Sequence, residues 1–364
     1  MSFAAKHLRL SNFRNFGHLE LEIPNGFTIL TGQNAQGKTS ILESLYWLST
    51  TRMLRGTRDA EAIKQGEAGC LVEAELVTGT TIGATLEQGS RKKFYLNGAS
   101  LPRASDVLGR LPCVVISIFD LEIVRGDPSD RRLFLDIELS SLFPAYLRHL
   151  SIYKRALEQR NALLKMAQER AMDDFSFDTW EEPLAKEGAE LRRIRNEYLD
   201  SLGPKVTRYH SQMSSQPEEL QLSYILKDES TDRDSLLRGY QETRRADIHR
   251  GTTQIGPHRD DIEIRIENKD ARLYGSQGQQ RTAVIALKLA TLEMAKEHLG
   301  EAPLLLLDDM LSDLDAERRS RLCHVVATEA GQAILTCTEA SAAGEEILDR
   351  SMVYAVKQGT VSQP

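Results

Sequence analysis

The segment Gly32 to Thr39 reads G-Q-N-A-Q-G-K-T and lies between a short apolar run, Gly26 to Thr31, and the start of an apolar helix. Gly32 and Gly37 allow a tight loop whose backbone N–H groups point inward, and the helix adds positive potential at its first turn. A chance match in a flexible loop would lack the strand and the helix. The segment therefore predicts a phosphate-binding loop (P-loop) within an α/β domain.

The side chains of this loop suit ATP. Lys38 supplies positive charge to the β and γ phosphates, and the Thr39 hydroxyl is placed to ligate Mg²⁺. The predicted nucleotide-binding residues of the loop are Gly32, Gln33, Asn34, Ala35, Gln36, Gly37, Lys38, Thr39 and Ser40.

A run of four leucines, Leu304 to Leu307, ends in Asp308 and Asp309. By itself this pattern is typical of a core strand with a solvated end. Paired with a P-loop, it predicts a buried strand whose Asp308 holds Mg²⁺ together with Thr39. Asp309 is then placed to polarise the attacking water as general base. Lys38, Asp308 and Asp309 are the predicted catalytic residues.

The stretch Ser276-Gln277-Gly278-Gln279-Gln280 precedes a long predicted helix. Ser276 can cap that helix, which is a purely structural role. The N–H groups of the helix end and the Ser276 hydroxyl also suit a γ-phosphate bound to the P-loop of another subunit. Ser276, Gly278 and Gln279 are therefore predicted nucleotide contacts across an ATP-dependent homodimer, and the two roles are compatible.

Composition limits the class of protein. At 364 residues, with 41% hydrophobic and 27% charged residues, the chain is expected to be soluble with two domains. No apolar stretch is as long as a membrane span, so no membrane partner is expected. The scattered Cys70, Cys113, Cys323 and Cys337 predict reduced thiols in a cytoplasmic protein. A net charge of −7 excludes a uniformly basic surface but allows a local basic track for nucleic acid.

Alternating apolar and polar residues predict strands in two regions near the start of the chain. One is an antiparallel pair within Lys6 to Ile23, and the other is a small meander from Cys70 to Leu96. Further elements are predicted as a helix at Thr39 to Leu48, core strands at Cys113 to Ile118 and Ala333 to Leu335, a strand at Ile262 to Ile266, and a helix at Gly278 to His298.

Helical spacing dominates the middle of the chain, from Tyr146 to Ala171 and from Trp180 to Met213, with Asp173 to Asp178 between them. We expect an antiparallel helical arm here, the alternative being an ordinary helical subdomain without a mechanical role. The expected domains are an ATPase head built from residues 1–136 and 255–364, and an inserted arm of residues 137–254.

Other charged segments allow a functional or a structural role. Ser312 to Asp315 would lie near a dimer seam, or would cap a helix. Gly256 to Asp261 combines a rigid turn with acid, base and guanidinium, so it is either structural or part of the site. Candidate DNA-phosphate contacts, each alternatively a solvated charge, are Arg52, Arg55, Arg58, Arg131 and Arg132.

With these residues in place, the chain resembles the RecF family of bacterial recombination-mediator ATPases, which belongs with SMC-type and ABC-type ATPase heads. The resemblance runs nearly end to end. Besides the P-loop, it rests on Leu10 to Asn15, Arg55 to Asp59, Gly126 to Arg132, Phe134 to Asp136, Leu157 to Leu164, Gly256 to Arg259, Gly275 to Arg281, Asp308-Asp309 and Leu314-Asp315. It implies an ABC/SMC-type P-loop ATPase head with an inserted helical arm.

Three positions depart from the family pattern. Ile118-Phe119 stands where the family usually has Pro-Glu, which affects the geometry beside the nucleotide. Asp313 replaces the usual Glu before Leu314-Asp315 and keeps the charge on a shorter stem. No histidine of the ABC switch type occurs around Thr336 to Thr338, which fits RecF proteins and implies slow hydrolysis.

The resemblance implies a weak, DNA-stimulated ATPase that dimerises on ATP, because the γ-phosphate adds contacts across the seam that hydrolysis removes. It places Arg14 near the phosphates. It also implies binding to single-stranded or gapped DNA and to junctions, and recombinase loading with RecO- and RecR-like partners. The processes implied are recombinational repair, replication restart and SOS induction. Two alternatives are a transporter-type ATPase subunit and a DNA-bound scaffold with little turnover.

Overall fold

The computed structural model of the chain describes residues 3–55, 58–170, 172–214 and 218–363. Gly56 and Thr57 of the Arg55-to-Asp59 motif, and Ala171 of the predicted arm, lie outside the described residues. The strands in chain order are β1 (Ala5–Phe13), β2 (Phe16–Glu22), β3 (Gly26–Thr31), β4 (Gly69–Leu76), β5 (Thr81–Glu87), β6 (Lys93–Leu96), β7 (Ala99–Ser100), β8 (Cys113–Ser117), β9 (Leu220–Ile225), β10 (Asp261–Ile266), β11 (Lys269–Asp270), β12 (Leu304–Asp308), β13 (Gln332–Cys337), β14 (Ser351–Lys357) and β15 (Thr360–Ser362).

The α-helices in chain order are α1 (Lys38–Thr50), α2 (Glu122–Arg125), α3 (Pro128–Leu142), α4 (Pro144–Ala167), α5 (Asp174–Met213), α6 (Arg233–Arg250), α7 (Ala271–Tyr274), α8 (Gln277–Leu299), α9 (Ala316–Glu329) and α10 (Glu345–Leu348). Short 3₁₀ helices occupy Asp59–Ala62, Ala104–Val107, Ile118–Leu121 and Ala340–Ala343. Among the described helices, none combines the length and the apolar character needed to cross a bilayer.

The chain forms two compact units. The first comprises Met1–Leu121, Arg208–Glu218 and Arg281–Pro364, and the second comprises Glu122–Thr207 and Glu219–Gln280. Both ends of the chain therefore build the first unit. The sequence predicts a division of the chain into an ATPase head and an inserted arm, with limits at residues 136 and 255. That division assigns functions to the parts, and it stays a prediction.

A six-stranded sheet in the order β15-β14-β3-β13-β12-β8 lies in the first unit. The strands β14, β3, β13, β12 and β8 run parallel, and β15 pairs antiparallel at the edge. All five residues of β12 are buried, which explains its uninterrupted apolar run. The predicted core strands are confirmed. Because the carboxyl ends of parallel strands meet at one edge, the P-loop after β3 and Asp308 at the end of β12 share that edge.

A second sheet of the first unit is antiparallel, in the order β2-β1-β4-β5-β6-β7. Its apolar residues face inward, and the register pairs Leu8 with Leu21 and Ala74. The predicted antiparallel pair and the predicted meander are confirmed, and they join in one sheet. The ring of Trp47, on α1, is buried and lies 6.0 Å from that of Phe13 and 5.8 Å from that of Phe94. The helix that follows the P-loop is thereby anchored on the inner face of this sheet.

The second unit contains α4 and the part of α5 up to Thr207, and these helices run antiparallel as predicted. Arg195 of α5 donates to the Tyr146 hydroxyl, whereas Glu181 near the start of α5 accepts from Arg160 near the end of α4. Arg160 is fully buried and also donates to Asp247 of α6 at 2.8 Å. Breaking one partner of such a buried ion pair typically costs about 3–5 kcal/mol, so this network fixes the three helices together.

Two features of this unit differ from the sequence prediction. The helix α5 begins at Asp174 rather than Trp180, because the Asp173 carboxylate accepts the Ser176 N–H at 2.7 Å and starts the helix earlier. The helix α6 was not predicted. Its signals are local, a capping box at Asp232 and a C-terminal Gly251 with φ 69°.

Candidate functional site

The P-loop connects β3 to α1 with a backbone that only glycine tolerates at two points. Gly32 has φ 138°, and a Cβ there would collide with the Val356 carbonyl oxygen. Gly37 has φ 117°, and a Cβ there would lie 2.6 Å from Asn15 Nδ2. Both conformations belong to the left-handed region that favours glycine. The two glycines of the motif are therefore required by the fold of the loop.

Within the loop, Lys38 is 5% exposed, and its Nζ donates to the carbonyl oxygens of Gly32 at 2.5 Å and Gln33 at 3.0 Å. The Thr39 hydroxyl donates to Asp308 Oδ1 at 2.8 Å. The two motifs, 269 residues apart in sequence, are thus in direct contact. The structure brings together the predicted phosphate ligand, the predicted metal ligand and the strand-end carboxylate.

Asp308 and Asp309 are both held by Thr336, at the end of the neighbouring strand β13. The Thr336 hydroxyl donates to Asp308 Oδ1 at 3.0 Å and accepts the Asp309 N–H at 2.8 Å. Burial raises the pKa of Asp308, and the hydrogen bonds from Thr39 and Thr336 oppose that shift. Asp309 has φ 52°, and the Ser312 hydroxyl donates to its Oδ1 at 2.6 Å. Hydrogen bonds therefore support a backbone conformation that is costly for a residue with a Cβ.

Arg14 lines a cavity together with the P-loop residues, and its contact with the phosphates stays a prediction. Its Nε and Nη2 donate to the two carboxylate oxygens of Glu43, both at 2.8 Å, and Nη1 donates to the Glu61 carbonyl at 2.8 Å. Glu43 lies on α1, is fully buried, and also accepts the Arg55 N–H at 3.0 Å. Sequence reasoning missed Glu43. The available signal was an acidic residue inside the apolar helix that follows the P-loop.

A cavity of about 530 Å³ opens over this group. Its lining residues are Arg14, Asn15, Asn34, Ala35, Gly37, Lys38, Thr39, Ser40, Arg55, Glu61, Ile63, Gln65 and Asp309. Gln36 accepts from Asn15 Nδ2 at 2.9 Å through its backbone carbonyl, and Ser40 Oγ accepts from Arg55 at 3.3 Å. A larger groove of the first unit, about 920 Å³, contains neither the P-loop nor the two aspartates.

The Ser276 stretch belongs to the second unit. The Ser276 hydroxyl accepts the Gln279 N–H at 3.2 Å, and Gln279 Oε1 accepts the Ser276 N–H at 2.8 Å. This reciprocal pair caps α8, so the structural role of Ser276 is present. Gly278 lies in the first turn of the same helix. Whether this helix end meets a phosphate on a second copy stays a prediction.

The remaining charged segments have mainly structural contacts. In Ser312 to Asp315, Asp313 accepts from Arg281 at 3.0 Å, and Asp315 caps α9 by accepting the Arg318 N–H at 2.9 Å. The short 3₁₀ helix Ile118–Leu121, which contains the Ile118-Phe119 departure, is held to the end of β8, because Asp120 accepts the Ser117 N–H at 2.7 Å.

The Gly256 to Asp261 segment is part of the packing of the second unit. His258 Nδ1 lies 2.6 Å from the Tyr153 hydroxyl, and burial lowers the pKa of His258 to about 4. Arg131 is buried and donates to both carboxylate oxygens of Asp261, at 2.7 and 2.9 Å. Arg132 donates to the Asp260 carbonyl at 2.8 Å. The structure thus favours the structural interpretation of this segment, and Arg131 is not available to a DNA phosphate.

Comparison with known proteins agrees with this geometry. Residues 4–362 match the family described as RecF/RecN/SMC N terminal domain. A DNA replication and repair protein RecF from Symbiobacterium thermophilum is 39% identical over 370 residues, which cover 97% of this chain and 96% of the relative. The RecF of a Picosynechococcus species is also 39% identical, over 97% of this chain and 95% of its own. The chain belongs to the RecF family.

Solved structures extend the likeness to three dimensions. A structure described as the recombination mediator protein RecF-ATP in the RecFOR pathway has a TM-score of 0.89 at 31% identity, covering 99% of both chains. The Smc head domain from Pyrococcus furiosus has a TM-score of 0.56 at 14% identity, which supports the fold alone. The chain therefore has the predicted mixed α/β fold of an SMC-type ATPase head, shared with RecF.

Proposed function

We propose that this RecF-family chain is an ATP-dependent DNA-binding protein of recombinational repair, replication restart and SOS induction. It binds single-stranded or gapped DNA and junctions, dimerises on ATP, and hydrolyses ATP slowly with stimulation by DNA. The observation that carries the proposal is the direct contact of Thr39 with Asp308, with Lys38 and Asp309 around the same cavity. The names of its relatives, DNA replication and repair proteins, support the biological setting.

The residues at the site fit a magnesium-bound nucleotide. The Thr39 hydroxyl and the Asp308 carboxylate are hard oxygen ligands of the kind that Mg²⁺ prefers. When bound, the metal neutralises phosphate charge and orients the leaving group. Lys38 is the phosphate ligand and Asp309 the general base. Arg14 is held at the wall of the cavity by Glu43. In this proposal its charge stabilises the phosphates.

ATP acts as a dimerisation switch in this proposal. The α8 helix end, with Ser276, Gly278 and Gln279, contacts the γ-phosphate held by the P-loop of the second copy. A capped helix end still carries the positive end of the helix dipole, so its structural role does not compete with phosphate binding. RecO- and RecR-like proteins are the proposed partners in recombinase loading, and the cytoplasm is the proposed location.

Light scattering with and without ATP tests the switch. Wild type should roughly double in mass with ATP, whereas Ser276→Arg should stay monomeric while binding ATP at near-normal affinity. Lys38→Met is the comparison variant, because it removes the phosphate ligand of the P-loop and should therefore lose ATP-dependent dimerisation. Dimers of Lys38→Met at saturating ATP would contradict the assignment of Lys38 as that ligand. A Ser276→Arg protein that fails to bind ATP would place Ser276 within a single-subunit site.

The alternative function, a DNA-bound scaffold, differs from the proposed switch only in the rate of ATP hydrolysis. It predicts ATP binding and dimerisation with a hydrolysis rate that DNA does not change. Phosphate release measured with and without gapped DNA separates the two, since the proposed switch requires a higher rate with DNA.

A further inference from the structure

Three consecutive cations, Arg91, Lys92 and Lys93, lie where the turn after β5 enters β6. Lys92 holds the turn in place, because its Nζ donates to the Thr51 carbonyl at 2.7 Å and lies 3.0 Å from an Asp59 carboxylate oxygen. These contacts fasten the turn to the segment that follows α1. All of these residues belong to the first unit.

Besides Lys92, four cations are chain neighbours of the residues in its contact with Thr51 and Asp59. Arg91 and Lys93 flank Lys92, Arg52 follows Thr51, and Arg58 precedes Asp59. All four side chains are exposed. Within the described part of the chain, none of the four has a carboxylate oxygen within the 4.0 Å of an ion pair. Four exposed cations without an ion-pair partner among the described residues are therefore chain neighbours of the residues of this one contact, in a chain whose net charge is −7.

We propose that Arg52, Arg58, Arg91 and Lys93, here called the hairpin surface, bind the phosphate backbone of DNA. The inference rests on the proposed function and locates its DNA contact. Clustered cations without counter-charges repel one another, and a polyanion relieves that repulsion while releasing its own counterions. Nucleic acid is the polyanion that the family setting supplies.

The strand β6 adds a neutral donor next to Lys93, on the outer face of the sheet. Phe94 is buried, so the neighbouring Lys93 and Tyr95 point to the opposite, outer face of the sheet. The Tyr95 hydroxyl lies 3.4 Å from the Thr85 hydroxyl, on the same face. Hydroxyl groups of this kind contact phosphate oxygens and position a duplex without reading its sequence. The surface is therefore suited to structure-dependent rather than sequence-dependent DNA binding.

The hairpin surface is distinct from the nucleotide cavity. None of its four residues lines that cavity, although Arg55, from the same segment, does. Substitutions on the surface should therefore leave ATP affinity without DNA unchanged. This separation allows the DNA contact to be tested apart from the switch.

The test measures binding of a fluorescent gapped duplex by anisotropy, with ATP, over a series of salt concentrations. The double variant Arg91→Glu/Lys93→Glu should bind about tenfold or more weakly, and the slope of log affinity against log salt should become shallower by about 2. The matched control, Arg110→Glu/Lys269→Glu, makes the same charge change at two exposed positions elsewhere. It should bind DNA within about twofold of wild type.

A second variant, Lys92→Met, leaves the four cations but releases the turn, and it should also weaken DNA binding. If wild type itself does not bind the gapped duplex, the proposed function fails. If wild type binds and the Arg91/Lys93 variant binds equally well, or the control loses as much, the hairpin surface is refuted. Unchanged DNA affinity with loss of a RecO- or RecR-like partner would also refute it and assign the surface to an acidic protein.

Discussion

Replacing Thr336 by valine tests how the strand-end carboxylates are held. Valine has nearly the same shape as threonine but lacks the hydroxyl, so β13 keeps its packing. The change removes the hydrogen bond to Asp308 Oδ1 and the acceptor of the Asp309 N–H. Thr336 is 1% exposed, and water therefore has no access to replace either bond.

The expected change in hydrolysis rate follows from the loss of these two hydrogen bonds. A hydrogen bond to a charged group contributes about 1.5–3 kcal/mol, and an N–H left without an acceptor costs about 1–3 kcal/mol. Asp309 at φ 52° needs that support, because strained residues of this kind cost about 1–3 kcal/mol. If about 1.4–2 kcal/mol of this loss falls on the placement of Asp309 during hydrolysis, single-turnover hydrolysis slows about 10- to 30-fold.

Single-turnover phosphate release and ATP affinity should be measured on Thr336→Val and Thr336→Ser. Serine keeps the hydroxyl, and we expect it to restore most of the rate, whereas valine should lower the rate and leave ATP affinity within a few-fold of wild type. A valine variant with wild-type turnover would refute the positioning role. A serine variant as slow as valine would assign the effect to packing of the threonine methyl group.

Two further predictions concern charge. Asp309→Asn keeps the size of the side chain but removes the charge that polarises water, so ATP-bound dimers should persist in light scattering while phosphate release falls; an unchanged rate would exclude Asp309 as the base. Stability should fall as the pH drops from about 6.5 toward 4, because the pKa of His258 is about 4 in the folded state and the unfolded chain binds more protons in that window. The loss should approach about 3 kcal/mol in urea unfolding. His258→Gln should lack this part of the pH dependence, and equal dependence in both proteins would refute the assignment.

Short sequence patterns predicted the strands and the helix that carry the site, but they could not predict contacts between residues that are far apart in the sequence. The P-loop lies between an apolar run and an apolar helix, and the leucine run ends in two aspartates. Each pattern lies within one short segment, so β3, α1 and β12 could be predicted. Glu43 left a local signal, an acidic residue inside an apolar helix, but its contacts with Arg14 and Arg55 could not be predicted, because these come from two other segments and share no spacing with it. The same holds for Arg160, whose partner Asp247 lies 87 residues away on a helix that was missed.

The segment between Thr51 and Gln65 gives the proposed ATP dependence of DNA binding a physical route. Arg55, Ile63 and Gln65 line the nucleotide cavity, and the Thr51 carbonyl and the Asp59 carboxylate hold Lys92 of the hairpin turn. Binding free energies are reciprocal, so an ATP-dependent gain in DNA affinity requires an equal DNA-dependent gain in ATP affinity. Coupling of that kind needs a structural element whose conformational equilibrium both ATP and DNA shift. The described residues of this segment form part of the cavity wall, include Arg52 and Arg58 of the hairpin surface, and hold Lys92, all within one compact unit. The segment is therefore an element through which such a gain can pass in a single copy.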